Sequence, residues 1–216
     1  MELLSFEPAV IALADLLRAR GWRMASAESC TGGLIAAACT ALSGSSDWFE
    51  RGFVTYSNAA KAELLGVDSQ LIAAHGAVSE EVARAMAEGA LQRAPVQCAV
   101  AVTGIAGPGG AVPGKPVGTV WLAWGSASGV LTERLQLPGD RDAVRGATVA
   151  AALQRLIECA LRAERRAAPS RPVVPSGAKP GREQSCGLLA PGEELGREAE
   201  RGLQGRPTYP SDEGPT

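Results

Sequence analysis

Hydrophobic residues in the first 165 positions alternate between a helical spacing and short apolar runs. Val10, Leu13 and Leu17 share one face of a predicted helix that ends at Gly21. The run 96–102, which is apolar except for Gln97, is typical of a strand covered on both faces of a sheet. The same reasoning predicts helices over 8–20, 33–42, 58–66, 68–74, 80–93 and 141–164, and strands over 22–28, 53–57, 96–102, 117–124 and 130–137.

The order of these elements predicts the fold class. Alternating strands and helices, followed by a late hairpin around 127–129, indicate an α/β fold: a three-layer α/β/α domain over 6–165 with a mixed, mostly parallel sheet. Composition then changes near Arg166, since 8 of the 14 prolines and 8 of the 26 glycines lie in 166–216. We interpret 166–216 as a disordered C-terminal tail, because its scattered apolar residues bury too little surface to offset ordering entropy.

Charge and cysteine content restrict the possible partners. The net charge is -2 and no cluster of Lys and Arg stands out before the tail, so a nucleic-acid partner is not expected. The five cysteines are odd in number and form no CxxC pair, which favours a reducing compartment. No signal peptide opens the chain and no apolar run is long enough to span a bilayer. We therefore expect a cytoplasmic protein with no membrane partner.

Several common catalytic patterns are missing from the sequence. His75 is the single histidine, so a zinc site of two or more histidines is impossible, and neither a metal nor a cofactor is predicted. No GxSxG elbow, Walker A motif or GxGxxG motif occurs. A Ser-His-Asp triad would have to use His75, which precedes Gly76 at a predicted helix end and which we interpret as an exposed or capping histidine.

The first candidate site is the turn Ala27-Glu28-Ser29-Cys30-Thr31-Gly32-Gly33 between a predicted strand and a predicted helix. Glycines there permit a sharp turn and close approach to a ligand. The helix start is expected to present free N–H groups to a phosphate or an oxyanion. A plain strand-to-helix turn capped by Ser29 or Thr31 is the alternative.

The second candidate is Lys61, in the segment Tyr56-Ser57-Asn58-Ala59-Ala60-Lys61 that opens the next helix. A cation in the first turn of a helix is disfavoured by the helix dipole, which lowers the pKa of a lysine, as partial burial also does. With histidine so scarce, a Ser–Lys pair is the natural way to activate a hydroxyl. An ordinary exposed helix lysine is the alternative.

Two further segments are weaker candidates. The Gly-rich loop after the apolar strand, 103–110, either lines a pocket with backbone N–H groups or is an ordinary mobile loop. Arg141 and Arg145 are four residues apart on one helix face, where they either bind a phosphate or form surface ion pairs with Asp142 or Glu133.

Together these segments resemble the CinA C-terminal domain family, the nicotinamide-nucleotide amidases, over about 6–162. The matching motifs are Ala27 to Gly33, Gly52 to Asn58 with Lys61, His75 to Ser79, Thr103 to Pro108, Lys115 to Val120, and Gly139 to Arg141 with Val144 and Arg145. The resemblance implies hydrolysis of nicotinamide mononucleotide to nicotinate mononucleotide and ammonia, without metal or cofactor, in a homo-oligomer that recycles pyridine nucleotides. The 166–216 tail departs from the family pattern.

The resemblance also implies residue roles. Ser29 corresponds to the nucleophile and Lys61 to its base, with Tyr56 supporting proton transfer. The residues expected around substrate are Thr31, Gly32, Gly33, Thr103 and Gly104, with Arg145, and less directly Arg141, meeting the phosphate. Two alternatives stay open at this point: Cys30 as the nucleophile, and a non-catalytic nucleotide- or partner-binding module.

Overall fold

A five-stranded sheet runs between two layers of helices in the computed structural model, which describes residues 3–167 and the side chains of 3–162. The strands are β1 (Met24–Glu28), β2 (Phe49–Val54), β3 (Cys98–Gly104), β4 (Thr119–Ser126) and β5 (Gly129–Gln136). The helices are α1 (Glu7–Arg20), α2 (Leu34–Thr40), α3 (Asn58–Leu65), α4 (Ser69–His75), α5 (Glu80–Arg93) and α6 (Arg141–Ala167), with short 3₁₀ turns at Leu3–Phe6 and Ser45–Asp47.

The strands lie in the order β2-β1-β3-β4-β5. β1 pairs in parallel with both β2 and β3, whereas β3–β4 and β4–β5 are antiparallel. The predicted mixed sheet is thus confirmed, with its parallel part confined to β2, β1 and β3. The chain leaves β1 toward β2 on one side and returns to β3 on the other. Ligands bind in α/β sheets at such a switch point, beyond the carboxyl ends of the strands.

The two helical layers pack on opposite faces of the sheet, which confirms the three-layer architecture. Alternate residues of β3 divide between them: Val100 and Val102 belong to the hydrophobic cluster with α1, α2 and α6. Ala99 and Ala101 belong to the cluster with α3, α4 and α5. The alternation follows from the period of two along a strand.

Small residues bring α3 and α5 close together. A Cβ built on Gly89 of α5 would lie 2.1 Å from the carbonyl oxygen of Leu65, the last residue of α3. No side chain is accommodated at that separation, so glycine permits the two helices to touch. This contact lies one helical turn after Lys61 along α3.

Most predicted elements are present with shifted ends, and one strand was misplaced. The strand predicted over 53–57 instead spans Phe49–Val54. β2 is an edge strand that pairs with β1, and its polar residues Glu50 and Arg51 do not show the hydrophobic pattern expected of a strand. Residues 55–57 leave the sheet, and Ser57 caps α3. The hairpin around 127–129 is confirmed, because Ser126 pairs with Gly129. α6 continues two residues past the predicted domain boundary at 165, and the predicted disorder of the remaining tail lies outside the described residues.

No helix in the described part of the chain is both long and apolar enough to cross a membrane.

Candidate active site

The carboxyl ends of the three parallel strands meet at a cavity of about 230 Å³. Ser29 directly follows β1, and strand register places Glu28 opposite Val54 of β2 and Val102 of β3. The predicted residues that line the cavity are Ser29, Tyr56, Lys61, Thr103, Gly104 and Arg141.

Lys61 is buried, with 1% of its surface exposed, although it lies in the first turns of a helix on the surface of the domain. Its Nζ is 3.1 Å from Ser29 Oγ and donates to the Thr55 carbonyl at 2.8 Å. Burial lowers the pKa of this lysine below its usual value, because desolvation penalises the charged form. The predicted Ser–Lys pair is therefore a direct contact in the structure.

Local capping directs the Lys61 side chain toward Ser29. Ser57 caps α3 by accepting the Ala60 N–H at 3.0 Å, which fixes the start of the helix directly after the strand end. A neutral amine has two N–H donors and one lone pair. With one N–H bonded to the Thr55 carbonyl, the lone pair is free to accept the Ser29 hydroxyl proton. The arrangement suits general-base activation of a serine.

Glu28 is a buried carboxylate beneath the turn, and the sequence analysis did not single it out. It accepts hydrogen bonds at 2.9–3.0 Å from the backbone N–H groups of Gly33, Ile35 and Ala36. The expectation of free N–H groups at the start of α2 was therefore wrong, since a protein carboxylate already occupies that position. A buried charge must be paired or hydrogen-bonded, and the N-terminus of a helix satisfies this requirement. An acidic residue at a strand end before Gly-Gly was the available signal.

Thr31, Gly32 and Gly33 shape the turn but do not line the cavity. The Thr31 hydroxyl is fully buried and donates to Glu28 at 2.7 Å. Gly32 and Gly33 adopt φ angles of +63° and +99°, and the Gly32 N–H closes the turn onto the Ser29 carbonyl at 3.1 Å. Glycine is required at such angles because a Cβ is strained there. These residues hold Ser29 in place from the side away from the cavity.

Arg141 connects two walls of the cavity. Its guanidinium donates to the Gly107 carbonyl at 2.9 Å and to the Tyr56 hydroxyl at 3.2 Å. Tyr56 is 62% exposed at the mouth, and its hydroxyl bonds to Arg141 rather than to Lys61. The arginine thus presents a positive charge at the open end, opposite the Ser29–Lys61 pair.

Arg145 lies one helical turn further along α6 and outside the cavity. It donates to the Thr31 carbonyl at 2.9 Å, behind the Ser29 turn, and its NH1 is 4.0 Å from Asp142. Its buried Nε has no partner among the described residues. Of the two arginines expected at a phosphate, Arg141 is the one that faces the cavity of this chain.

Thr103 and Gly104, at the end of β3, form the opposite wall. The Thr103 hydroxyl donates to the Ala77 carbonyl at 2.8 Å and so fixes the loop between α4 and α5 against the strand. A Cβ on Gly104 would lie 2.7 Å from a Val120 methyl, so the strands approach closely there.

Cys30, the alternative nucleophile, lines the cavity beside Ser29 but has an unreactive thiol, and His75 lies outside the cavity. Burial raises the pKa of the Cys30 thiol to about 12, with the nearby Glu28 charge adding to the effect, so the thiol is neutral near pH 7. His75 does not line the cavity; its Nδ1 lies 3.1 Å from Glu81 in an exposed contact. Within residues 3–162, no group of three or more His, Cys, Asp or Glu side chains is arranged to hold a metal ion.

Comparisons with known proteins agree with this fold. The model of the CinA C-terminal domain matches residues 7–160, and the chain belongs to that family. It is 55% identical over 146 residues to the nicotinamide-nucleotide amidohydrolase PncC of Pseudomonas putida, covering 68% of this chain and 91% of that protein. It is also 55% identical over 141 residues to PncC of Escherichia coli K12, covering 65% and 86% respectively.

A solved structure extends the likeness to the whole domain. The competence/damage inducible protein CihA from Agrobacterium tumefaciens superposes with a TM-score of 0.70 at 46% identity, covering 71% of this chain and 94% of that chain.

Proposed function

We propose that this protein is a nicotinamide-nucleotide amidase that hydrolyses nicotinamide mononucleotide to nicotinate mononucleotide and ammonia. The contact between the buried Lys61 amine and Ser29 Oγ, at 3.1 Å, carries the proposal. The Pseudomonas and Escherichia relatives, both named nicotinamide-nucleotide amidohydrolases, support the choice of substrate.

The reaction begins at Ser29. Neutral Lys61 takes the hydroxyl proton as Ser29 Oγ attacks the carboxamide carbon. Protonated Lys61 then gives its proton to the departing ammonia, which leaves an ester between Ser29 and the nicotinoyl group. Lys61, neutral once more, then activates a water molecule, which hydrolyses that ester and regenerates the free Ser29 hydroxyl.

The remaining predicted residues act around this step. Arg141 is suited to the substrate phosphate, because a guanidinium at the cavity mouth forms charge-assisted hydrogen bonds with phosphate oxygens. Arg145 supports the turn through the Thr31 carbonyl. Tyr56, bonded to Arg141, remains our candidate for assisting proton transfer at the mouth.

We further propose that the enzyme works in the cytoplasm, in the recycling of pyridine nucleotides, and as a homo-oligomer. The four described cysteines are all unpaired thiols, which is compatible with a reducing compartment.

The substrate assignment is tested by measuring ammonia release from three compounds that share the nicotinamide group. Nicotinamide mononucleotide is the proposed substrate, its riboside lacks the phosphate, and free nicotinamide lacks both sugar and phosphate. We expect turnover of the mononucleotide, a much higher KM for the riboside, and no turnover of nicotinamide. Tight binding of the mononucleotide without ammonia release would instead indicate a binding module.

A further inference from the structure

Glu28 is hydrogen-bonded to the turn that contains Ser29 and to the strand end that orients Lys61. Its carboxylate accepts five hydrogen bonds, although none of its surface is exposed. It is the last residue of β1, so its backbone leads directly into Ser29. The side chain faces the layer that contains α2 and lies under the first turn of that helix.

The two carboxylate oxygens have different partners. Oε2 accepts from the Thr31 hydroxyl at 2.7 Å and from the Gly33 and Ile35 N–H groups at 3.0 Å, all in the turn or the start of α2. Oε1 accepts from the Ser26 hydroxyl at 3.0 Å and the Ala36 N–H at 2.9 Å. Oε2 therefore holds the middle and the far end of the turn whose first residue is Ser29.

The backbone of Glu28 reaches the other member of the pair. Its carbonyl accepts the Thr55 N–H at 2.8 Å, and the Thr55 carbonyl in turn accepts a hydrogen bond from Lys61 Nζ at 2.8 Å. A displacement of Glu28 would thus move Ser29 and the acceptor that orients Lys61. A shift of about 1 Å between reacting groups is enough to cost on the order of a hundredfold in rate.

We propose that Glu28 is a positioning residue that holds the Ser29 turn so that Oγ faces Lys61. The inference rests on the proposed function only in taking Ser29 as the nucleophile. A carboxylate is suited to the position because both of its oxygens accept hydrogen bonds and neither donates.

Glutamine at this position has a defined defect. With its carbonyl oxygen at the place of Oε2, the three bonds to the turn are retained. The amide nitrogen then faces the Ala36 N–H, which loses its acceptor, while the Ser26 hydroxyl rotates to accept. Glu28→Gln therefore removes the charge and one bond to α2 but keeps the size of the side chain. Glu28→Ala removes all five bonds.

A matched pair of hydroxyl deletions separates positioning from stability. Thr31→Val and Ser26→Ala each delete one hydroxyl bonded to Glu28. Only Thr31 lies in the turn, because Ser26 precedes it on β1. Thr31→Ser, which keeps the hydroxyl, serves as the conservative rescue.

The experiment measures kcat, KM and the melting temperature with nicotinamide mononucleotide. In parallel, peptide mass spectrometry follows the rate at which a small fluorophosphonate probe labels Ser29. We expect Thr31→Val, which removes a bond from Oε2 to the turn, to lower kcat and the labelling rate at least tenfold, with KM within about threefold of wild type. Glu28→Gln keeps the three Oε2 bonds and should lower both by less. Ser26→Ala and Thr31→Ser should keep wild-type values of both. A purely structural role would change the melting temperature and leave kcat per folded molecule unchanged.

The outcomes distinguish the two proposals. Wild-type labelling of Ser29 that slows in Glu28→Gln or Thr31→Val supports the role of Glu28 even if no ammonia is released, in which case the proposed substrate is wrong. Folded Thr31→Val with kcat and labelling within twofold of wild type would overturn the inference. Equal losses in Thr31→Val and Ser26→Ala, or no selective labelling of wild-type Ser29, would also overturn it. If Glu28→Gln fails to fold, the comparison of the two hydroxyl deletions still decides.

Discussion

Replacing Lys61 with methionine should separate catalysis from folding. Methionine has nearly the length of lysine and is unbranched, so it fills the same buried space without an amine. The Lys61→Met variant loses the base next to Ser29 and leaves the Thr55 carbonyl without its donor. Loss of the same amine therefore affects activity through its contact with Ser29 and stability through its bond to the Thr55 carbonyl.

The two effects have different sizes. Loss of a positioned general base lowers the rate about 10²–10⁴-fold, which corresponds to ~2.7–5.5 kcal/mol of activation free energy. An unsatisfied buried carbonyl destabilises by about 1–3 kcal/mol. Part of this lost stability is recovered because the methionine side chain is apolar and the position is only 1% exposed. Removing the Lys61 amine also removes the cost of burying it, the same burial that lowers its pKa. At about 2–4 °C per kcal/mol, the melting temperature should fall by less than about 12 °C.

The assay couples ammonia release from nicotinamide mononucleotide to a glutamate dehydrogenase readout, with a thermal melt on the same preparation. We expect a drop of at least about a hundredfold in kcat in a protein that remains folded at the assay temperature. A folded Lys61→Met enzyme with a kcat within tenfold of wild type would refute the assignment of Lys61 as the base.

Three further predictions concern pH, the phosphate and the packing of α3. The kcat/KM should rise with pH and show an apparent pKa below the usual lysine value, because only the neutral Lys61 amine accepts a proton. A kcat/KM independent of pH from about 5 to 10 would contradict this prediction. Arg141→Met should raise the KM for the mononucleotide about 10–100-fold and leave the riboside unaffected, whereas a larger effect from Arg145→Met would place the phosphate there. Gly89→Ala should destabilise the fold by about 1–3 kcal/mol in thermal melts, since its Cβ would lie 2.1 Å from a carbonyl of α3; Gly109→Ala, with nothing within 4 Å, is the control.

The layered fold could be predicted because its signals are local. Most of the apolar run 96–102 lies in β3, which begins at Cys98 and is buried on both faces. Ser79 and Asp140 cap α5 and α6 by accepting N–H groups, as their sequence context indicated. β2 was misplaced because an edge strand has one free side and tolerates polar residues, so its pattern does not mark its ends.

The site was predictable where residue type alone restricts the chemistry. A chain with one histidine points to lysine as the base for a serine, and the structure brings Ser29 and Lys61 into contact. Glu28 was not predictable in the same way, because an acidic side chain at a strand end normally lies in solvent. Its burial depends on where α2 begins in space. Likewise, spacing places Arg141 and Arg145 on one helix face but does not decide which of them reaches the cavity.

The most direct test of the account is ammonia release from nicotinamide mononucleotide by wild-type protein and by Ser29→Ala at matched concentration. The account predicts steady turnover by the wild type and a loss of at least a hundredfold in the variant, with its melting temperature nearly unchanged because only one hydroxyl is removed. Ammonia release by folded Ser29→Ala within tenfold of wild type would contradict the claim that Ser29 is the nucleophile.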